Sequence, residues 1–146
     1  MKHTVVAFAL TLAAAAAHAQ ANPVGLWKTI DDDGKTEKSL VRITEANGVF
    51  TGKIEKIFDP AKQDAVCDQC SDDRKGKPIV GFTLIRNVKQ NGSDPNMWDG
   101  GDITDPNNGK VYKVRIKPAD GGKKLEVRGY VGAPLLGRTQ TWLRVE

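Results

Sequence analysis

Val111-Tyr112-Lys113-Val114-Arg115-Ile116-Lys117, the turn residues Asp120-Gly121-Gly122, and then Lys124-Leu125-Glu126-Val127-Arg128-Gly129-Tyr130-Val131 carry the reading of the fold. In the first segment Tyr112, Val114 and Ile116 fall on one face and lysine and arginine on the other. This is the period-two alternation of a half-buried strand. Asp-Gly-Gly turns the chain, and a second strand follows at once, so the two pair antiparallel. The same grammar extends in both directions. Downstream, a Gly-Ala-Pro loop leads to a strand over Arg138–Val145. Upstream, Asp105-Pro106-Asn107-Asn108-Gly109 is a dense turn signal preceded by a short strand around Trp98–Thr104 and a polar loop over Lys89–Asn96. Ile79–Val88 reads as a strand apolar on both faces, and Asp59–Pro78 as a long polar excursion holding both cysteines. Val49–Phe58 alternates, with Phe50, Ile54 and Phe58 on one side. It is joined by a Glu45-Ala46-Asn47-Gly48 hairpin turn to a strand over Lys38–Thr44. Val24–Ile30, ended by Asp31-Asp32-Asp33-Gly34, is the first strand. The expected fold is all-β: about eight strands closing into an antiparallel up-and-down β-barrel, which removes exposed sheet edges. A β-sandwich is the main rival.

The amino-terminal end is of a different kind. Met1-Lys2-His3 is a short basic start, Thr4–Ala17 an apolar run, and Ala17-His18-Ala19 the small-x-small pattern of a signal-peptide cleavage site. Residues 1–19 are expected to be removed, leaving 20–146 as one domain. The run is shorter than the roughly 20 apolar residues of a membrane span. The expected location is the periplasm or the exterior. Both histidines, His3 and His18, leave with the leader, so a histidine-based triad or zinc site is not available to the mature chain.

Composition excludes further classes. The formal charge is +4 for the whole chain and one unit lower without Lys2. Signs alternate without a basic block, which argues against nucleic-acid binding and against strong electrostatic membrane docking. The serines Ser39, Ser71 and Ser93 lie outside any Gly-x-Ser-x-Gly, and no phosphate loop or dinucleotide fingerprint occurs. Asp99, Asp102 and Asp105 crowd one strand and turn; turn capping is the ordinary reading and acid–base hydrolysis the sharper one. No enzymatic activity, metal or cofactor is expected.

Cys67-Asp68-Gln69-Cys70 reads as a local disulfide in an oxidising compartment. A redox-active pair is the alternative, weakened by the absence of a βαβ context. A zinc site would need ligands that the mature chain lacks.

Gly25-Leu26-Trp27 on the first strand, with Arg138 and Arg144 flanking Trp142 on the last, resembles the lipocalin and calycin arrangement. There a tryptophan packs across the barrel base under an arginine from the final strand, so Trp27 is expected to be a structural plug. The second half is more specific. It reads Trp98, Gly101-Asp102-Ile103-x-Asp105-Pro106-x-x-Gly109-Lys110-x-Tyr112, then Leu125-x-x-Arg128-Gly129-Tyr130-x-Gly132, then Gly137-Arg138-Thr139-Gln140-x-Trp142-x-Arg144. With Cys67-x-x-Cys70 and Pro78-Ile79-x-Gly81, nearly the whole mature chain resembles the small exported bacterial proteins of Domain of Unknown Function 2147. The resemblance implies a lipocalin-like barrel in the cell envelope and a binding role. It supplies no reaction and no catalytic residues.

Strand parity locates the candidate site. Arg128 and Tyr130 share one face of their strand, and Arg138, Gln140 and Trp142 one face of the next. Pairing Tyr130 with Arg138 would place Arg128 opposite Gln140 and join all five. The opposite faces, with Leu125, Val127, Thr139, Thr141, Leu143 and Val145, are more apolar. The polar and aromatic set is nevertheless expected to line the interior, with an external recognition surface as the alternative; in the interior reading Arg128 and Arg138 hold an anionic or polar head, and Phe50, Ile54, Phe82 and Tyr112 line the apolar part. The expected function is binding of a small, partly apolar or anionic molecule. The alternative is an envelope interaction protein with a filled barrel, and a cavity open to solvent separates the two.

Overall fold

The computed structural model describes residues 21–146. The leader expected over residues 1–19 lies outside the described residues. Eight strands form one closed antiparallel barrel in sequence order: β1 Gly25–Ile30, β2 Glu37–Ala46, β3 Val49–Ile57, β4 Thr83–Gln90, β5 Trp98–Thr104, β6 Val111–Ala119, β7 Lys124–Tyr130 and β8 Gly137–Arg144. β8 returns to β1 through Trp27 opposite Arg144 and Lys28 opposite Leu143. Closure leaves no free edge, and the sandwich alternative falls.

The ends of the barrel differ. At one end sit the Asn47-Gly48 turn, the 91–97 connection, the Asp120–Gly122 turn and the chain on either side of the barrel, with Leu26 N–H donating to Glu146 O at 2.8 Å. Trp27 closes this end. It is fully buried, and its Nε1 donates to Pro23 O at 2.8 Å. The Arg144 guanidinium lies 4.2 Å from the centre of the indole. It donates to three backbone carbonyls: Gly122 O at 2.5 Å, Val24 O at 2.8 Å and Asn22 O at 2.9 Å. Burial holds its pKa below the usual arginine value. The Gly-x-Trp spacing has a geometric cause here. Gly25 has φ +145°, and a Cβ on it would stand 2.5 Å from both Arg144 Nη1 and Glu146 O.

The other end is built by the 31–36, 58–82, 105–110 and 131–136 connections. The longest of these carries the Cys67–Cys70 disulfide, with Cα atoms 5.6 Å apart and both residues in the hydrophobic core. Arg74 is 5% exposed. Its Nη2 pairs with Asp72 at 2.5 Å, its Nη1 donates to Thr83 O at 2.8 Å, and its guanidinium lies 5.3 Å from the Phe82 ring. The hydrogen bonds from Arg74 pull the Asp72 carboxyl down to about 2.

Two details correct the strand reading. β4 begins at Thr83, not Ile79. The Ile79 amide donates to Ala65 O within the connection, and Gly81 at φ +90° breaks the extended run. In β3, Leu40 opposes Lys56 and Val41 opposes Ile54, so Glu55 is an inserted residue. The bulge reverses the parity behind it. Ile57 is therefore buried, and Phe58 lies outside the core.

Candidate ligand cavity

The open end leads into a cavity of about 1200 Å³. Its apolar wall comes from Ile54, Ile57, Ile79, Leu84, Ile103 and Val127. Ile57 is set there by the β3 bulge, and the others by strand alternation or by the 58–82 connection folding over the barrel. The facing wall, from β1, β2 and β8, is polar. Trp142 Nε1 donates to Gln140 Oε1 at 3.0 Å, and Gln140 Nε2 donates to Asp32 Oδ1 at 3.0 Å. The other Asp32 oxygen pairs with Arg138 Nη1 at 2.8 Å. A hydrogen-bonded line thus runs from a buried indole to an exposed guanidinium. Beside it, the Thr29 and Ser39 hydroxyls lie 2.7 Å apart, both buried. One donates to the other. The second hydroxyl hydrogen has no partner among the described residues and remains available to a ligand.

The expected site residues divide. Ile54, Tyr112, Tyr130, Arg138, Gln140 and Trp142 border the cavity; Arg128, Phe50 and Phe82 do not. The five-residue polar and aromatic patch does not form. In the observed register Tyr130 opposes Gly137, Arg128 opposes Thr139 and Val127 opposes Gln140, one residue away from the expected pairing. A one-residue slip moves a whole set to the other face. The apolar face of β7 and the polar, aromatic face of β8 are consequently both internal. Arg128 turns outward, donating from Nε to Pro134 O at 2.6 Å and from Nη1 to Thr139 Oγ1 at 2.8 Å. Phe50 packs edge-on against Trp98 in the core, ring centres 6.1 Å apart, and Phe82 lies under Arg74. The two-arginine clamp is therefore absent, and Arg138 is already paired by Asp32. Charges around the mouth are mixed, with Asp31, Glu37, Asp59 and Asp105 beside Lys38, Lys62 and Lys110.

Sequence reasoning missed Asp32, Thr29, Ser39 and Leu84. Thr29 and Ser39 carried a usable signal, since both follow the parity of Trp27 and Val41. Asp32 carried none beyond its place in a turn. Among the described residues no group of three or more histidine, cysteine or carboxylate side chains is arranged to hold a metal ion.

A family model described as an uncharacterized protein conserved in bacteria (DUF2147) matches residues 25–144. No curated protein matches the chain. Among solved structures, the chain is similar to protein HP1028 from Helicobacter pylori, described as belonging to the lipocalin family. The TM-score is 0.73 and the identity 21%, over 86% of this chain and 84% of that one.

Proposed function

Because the chain belongs to the DUF2147 family and folds as a lipocalin-like barrel, we propose that it is a non-catalytic carrier or sensor of one small molecule held in the barrel cavity. The observation behind this reading is the cavity itself: a volume of about 1200 Å³, apolar on one wall and hydrogen-bonding on the other. Space of this kind favours an occupied cavity over a barrel filled by its own side chains. The ligand we favour has an apolar body against Ile54, Leu84, Ile103 and Val127 and an uncharged polar end near Thr29, Ser39 and Gln140. A carboxylate head is less well served, because Asp32 already neutralises Arg138. We also propose export to an oxidising compartment. The leader pattern of residues 1–19 and the Cys67–Cys70 disulfide support it.

Gly129 offers a clean test. It borders the cavity, and a Cβ on it would meet Tyr112 and Ile103 carbons at 3.5 and 3.6 Å, ordinary contact distances. Gly129→Leu should fill space without forcing the wall. The fluorescent probe N-phenyl-1-naphthylamine is expected to bind the wild-type protein saturably and the variant about tenfold more weakly, with similar melting curves. Native mass spectrometry of protein from its own host should show a retained adduct. Absence of saturable probe binding together with absence of an adduct would refute the proposal.

A further inference from the structure

We infer that the outer face of β6–β7 and the β7–β8 tip together form a docking surface for an anionic lipid membrane. Two independent observations meet there. The first is apolar. Val131, Leu135 and Leu136 in the β7–β8 connection are 63%, 91% and 75% exposed. Such a cluster at a loop tip is a site for insertion or association, not for hydration. The tip is also held in shape. Arg128 donates to Pro134 O at 2.6 Å and to Leu135 O at 3.5 Å, and Leu136 N–H donates to Ala133 O at 2.9 Å. The leucines are presented by a fixed turn.

The second observation is charge. Val114 and Ile116 point into the barrel, so Lys113 and Arg115 point out. Lys113 opposes Tyr130 and Arg115 opposes Arg128 across the β6–β7 ladder. Two guanidinium groups facing each other across a ladder repel. Among the described residues, no carboxylate forms an ion pair with Lys113, Arg115 or Arg128. Arg115 Nε is buried with no hydrogen-bond partner among them. Arg128 spends its donors on neutral oxygens. The nearest carboxylates on this face are Asp102, opposite Lys113 across the β5–β6 ladder, and Glu126, two residues from Arg128 on β7; neither forms an ion pair with the three cations.

Lys113, Arg115, Lys117, Lys124 and Arg128 outnumber Asp102 and Glu126 on this face, and an excess of cations running directly into an exposed apolar tip matches a lipid headgroup layer. Headgroup phosphates answer the cations, and the leucines reach past them. Chain-wide charge hides this surface, because the cations of β6 stand at every second residue and alternation therefore places all of them on the same side of the strand. Val131 and Leu136 also border the cavity mouth, so docking would bring the mouth to the membrane. The docking itself does not depend on what the cavity holds.

Vesicle co-sedimentation tests it with the purified protein. The amino-terminal segment is common to all variants and cancels in the comparison. Binding is expected to phosphatidylcholine vesicles containing phosphatidylglycerol, weakly to phosphatidylcholine alone, and to fall at about 0.5 M salt, where exposed charges are screened. Lys113→Gln and Arg115→Gln should each cost about fivefold. Leu135→Ser with Leu136→Ser should abolish co-sedimentation while circular dichroism melts stay unchanged. Equal binding to both vesicle types, unaltered binding by the leucine variant, or a self-association in size-exclusion chromatography that the leucine variant removes would each overturn the inference. So would heparin binding as tight as vesicle binding with no effect of the leucine changes, which would mark a general polyanion site. Cavity binding is read separately, by the naphthylamine probe without vesicles.

Discussion

Replacing Arg144 by methionine should cost about 3–4 kcal/mol of folding stability. Methionine keeps the length and apolar stem and removes the charged fork, so packing volume is nearly conserved. What is lost is specific: three hydrogen bonds to Gly122 O, Val24 O and Asn22 O, and the contact with the Trp27 ring at 4.2 Å. A charged hydrogen bond contributes about 1.5–3 kcal/mol. Arg144 is only half-buried, however, and the freed carbonyls regain water, so about 1 kcal/mol each is the better figure. The stacked cation adds about 0.5–1 kcal/mol. A domain of this size has about 5–15 kcal/mol in total, so the variant should remain folded in water and lose about 10–15 °C in Tm. Urea melts followed by tryptophan fluorescence give the number. Arg144→Lys is the decisive control. An ammonium keeps the charge, but it reaches one carbonyl where the fork reaches three, and it should restore less than half of the loss. A methionine variant within about 0.5 kcal/mol of wild type would refute the reasoning, as would full recovery by lysine.

Other expectations follow from the same geometry. Trp27→Ala removes a fully buried indole and should cost about 3–5 kcal/mol in a urea melt; a near-neutral result would mean that Trp27 does not plug the base. Changing Cys67 and Cys70 together to serine should cost about 2 kcal/mol, because so short a ring removes little freedom from the unfolded chain; intact-mass measurement with and without reductant checks the bond beforehand. Asp72 titrates at about 2 in the folded protein against an ordinary 3.8. Its contribution is therefore complete above the ordinary carboxylate range and disappears as pH falls through that range towards 2. Hydrogen exchange in the 58–82 connection should rise over that interval in the wild type, and Asp72→Asn should remove most of the rise.

Local alternation made the barrel legible. Tyr112, Val114 and Ile116 face inward as their spacing requires, and Asn47-Gly48 turns as its backbone freedom allows. What the sequence did not disclose was set by contacts between distant parts of the chain. The β7–β8 register depends on Gly137. A Cβ there would stand 2.3 Å from Gly129 O, so this register admits only glycine at 137, and Arg128 ties β7 to the connection through Pro134 O. A parity argument has no access to that clamp, and the resulting one-residue difference sent Arg128 outside. The Glu55 bulge likewise reversed Phe58 for Ile57. On the polar wall, Gln140 and Asp32 are 108 positions apart, and only closure of the ring brings them together. Phe82 looked like a wall residue because Ile79–Val88 read as one strand. The turn at Gly81 instead delivers it to Arg74.

The three tryptophans are sorted by depth in a way that makes the molecule its own optical reporter. Trp27 is locked at the base and Trp98 is wedged against Phe50. Trp142 alone of the three borders the cavity, with its indole nitrogen tied to Gln140. An incoming molecule that displaces water there, or competes for that amide, alters the emission of one fluorophore against two constant ones. Occupancy can then be followed without a label, and Trp142→Phe silences the signal while leaving the baseline of the other two in place.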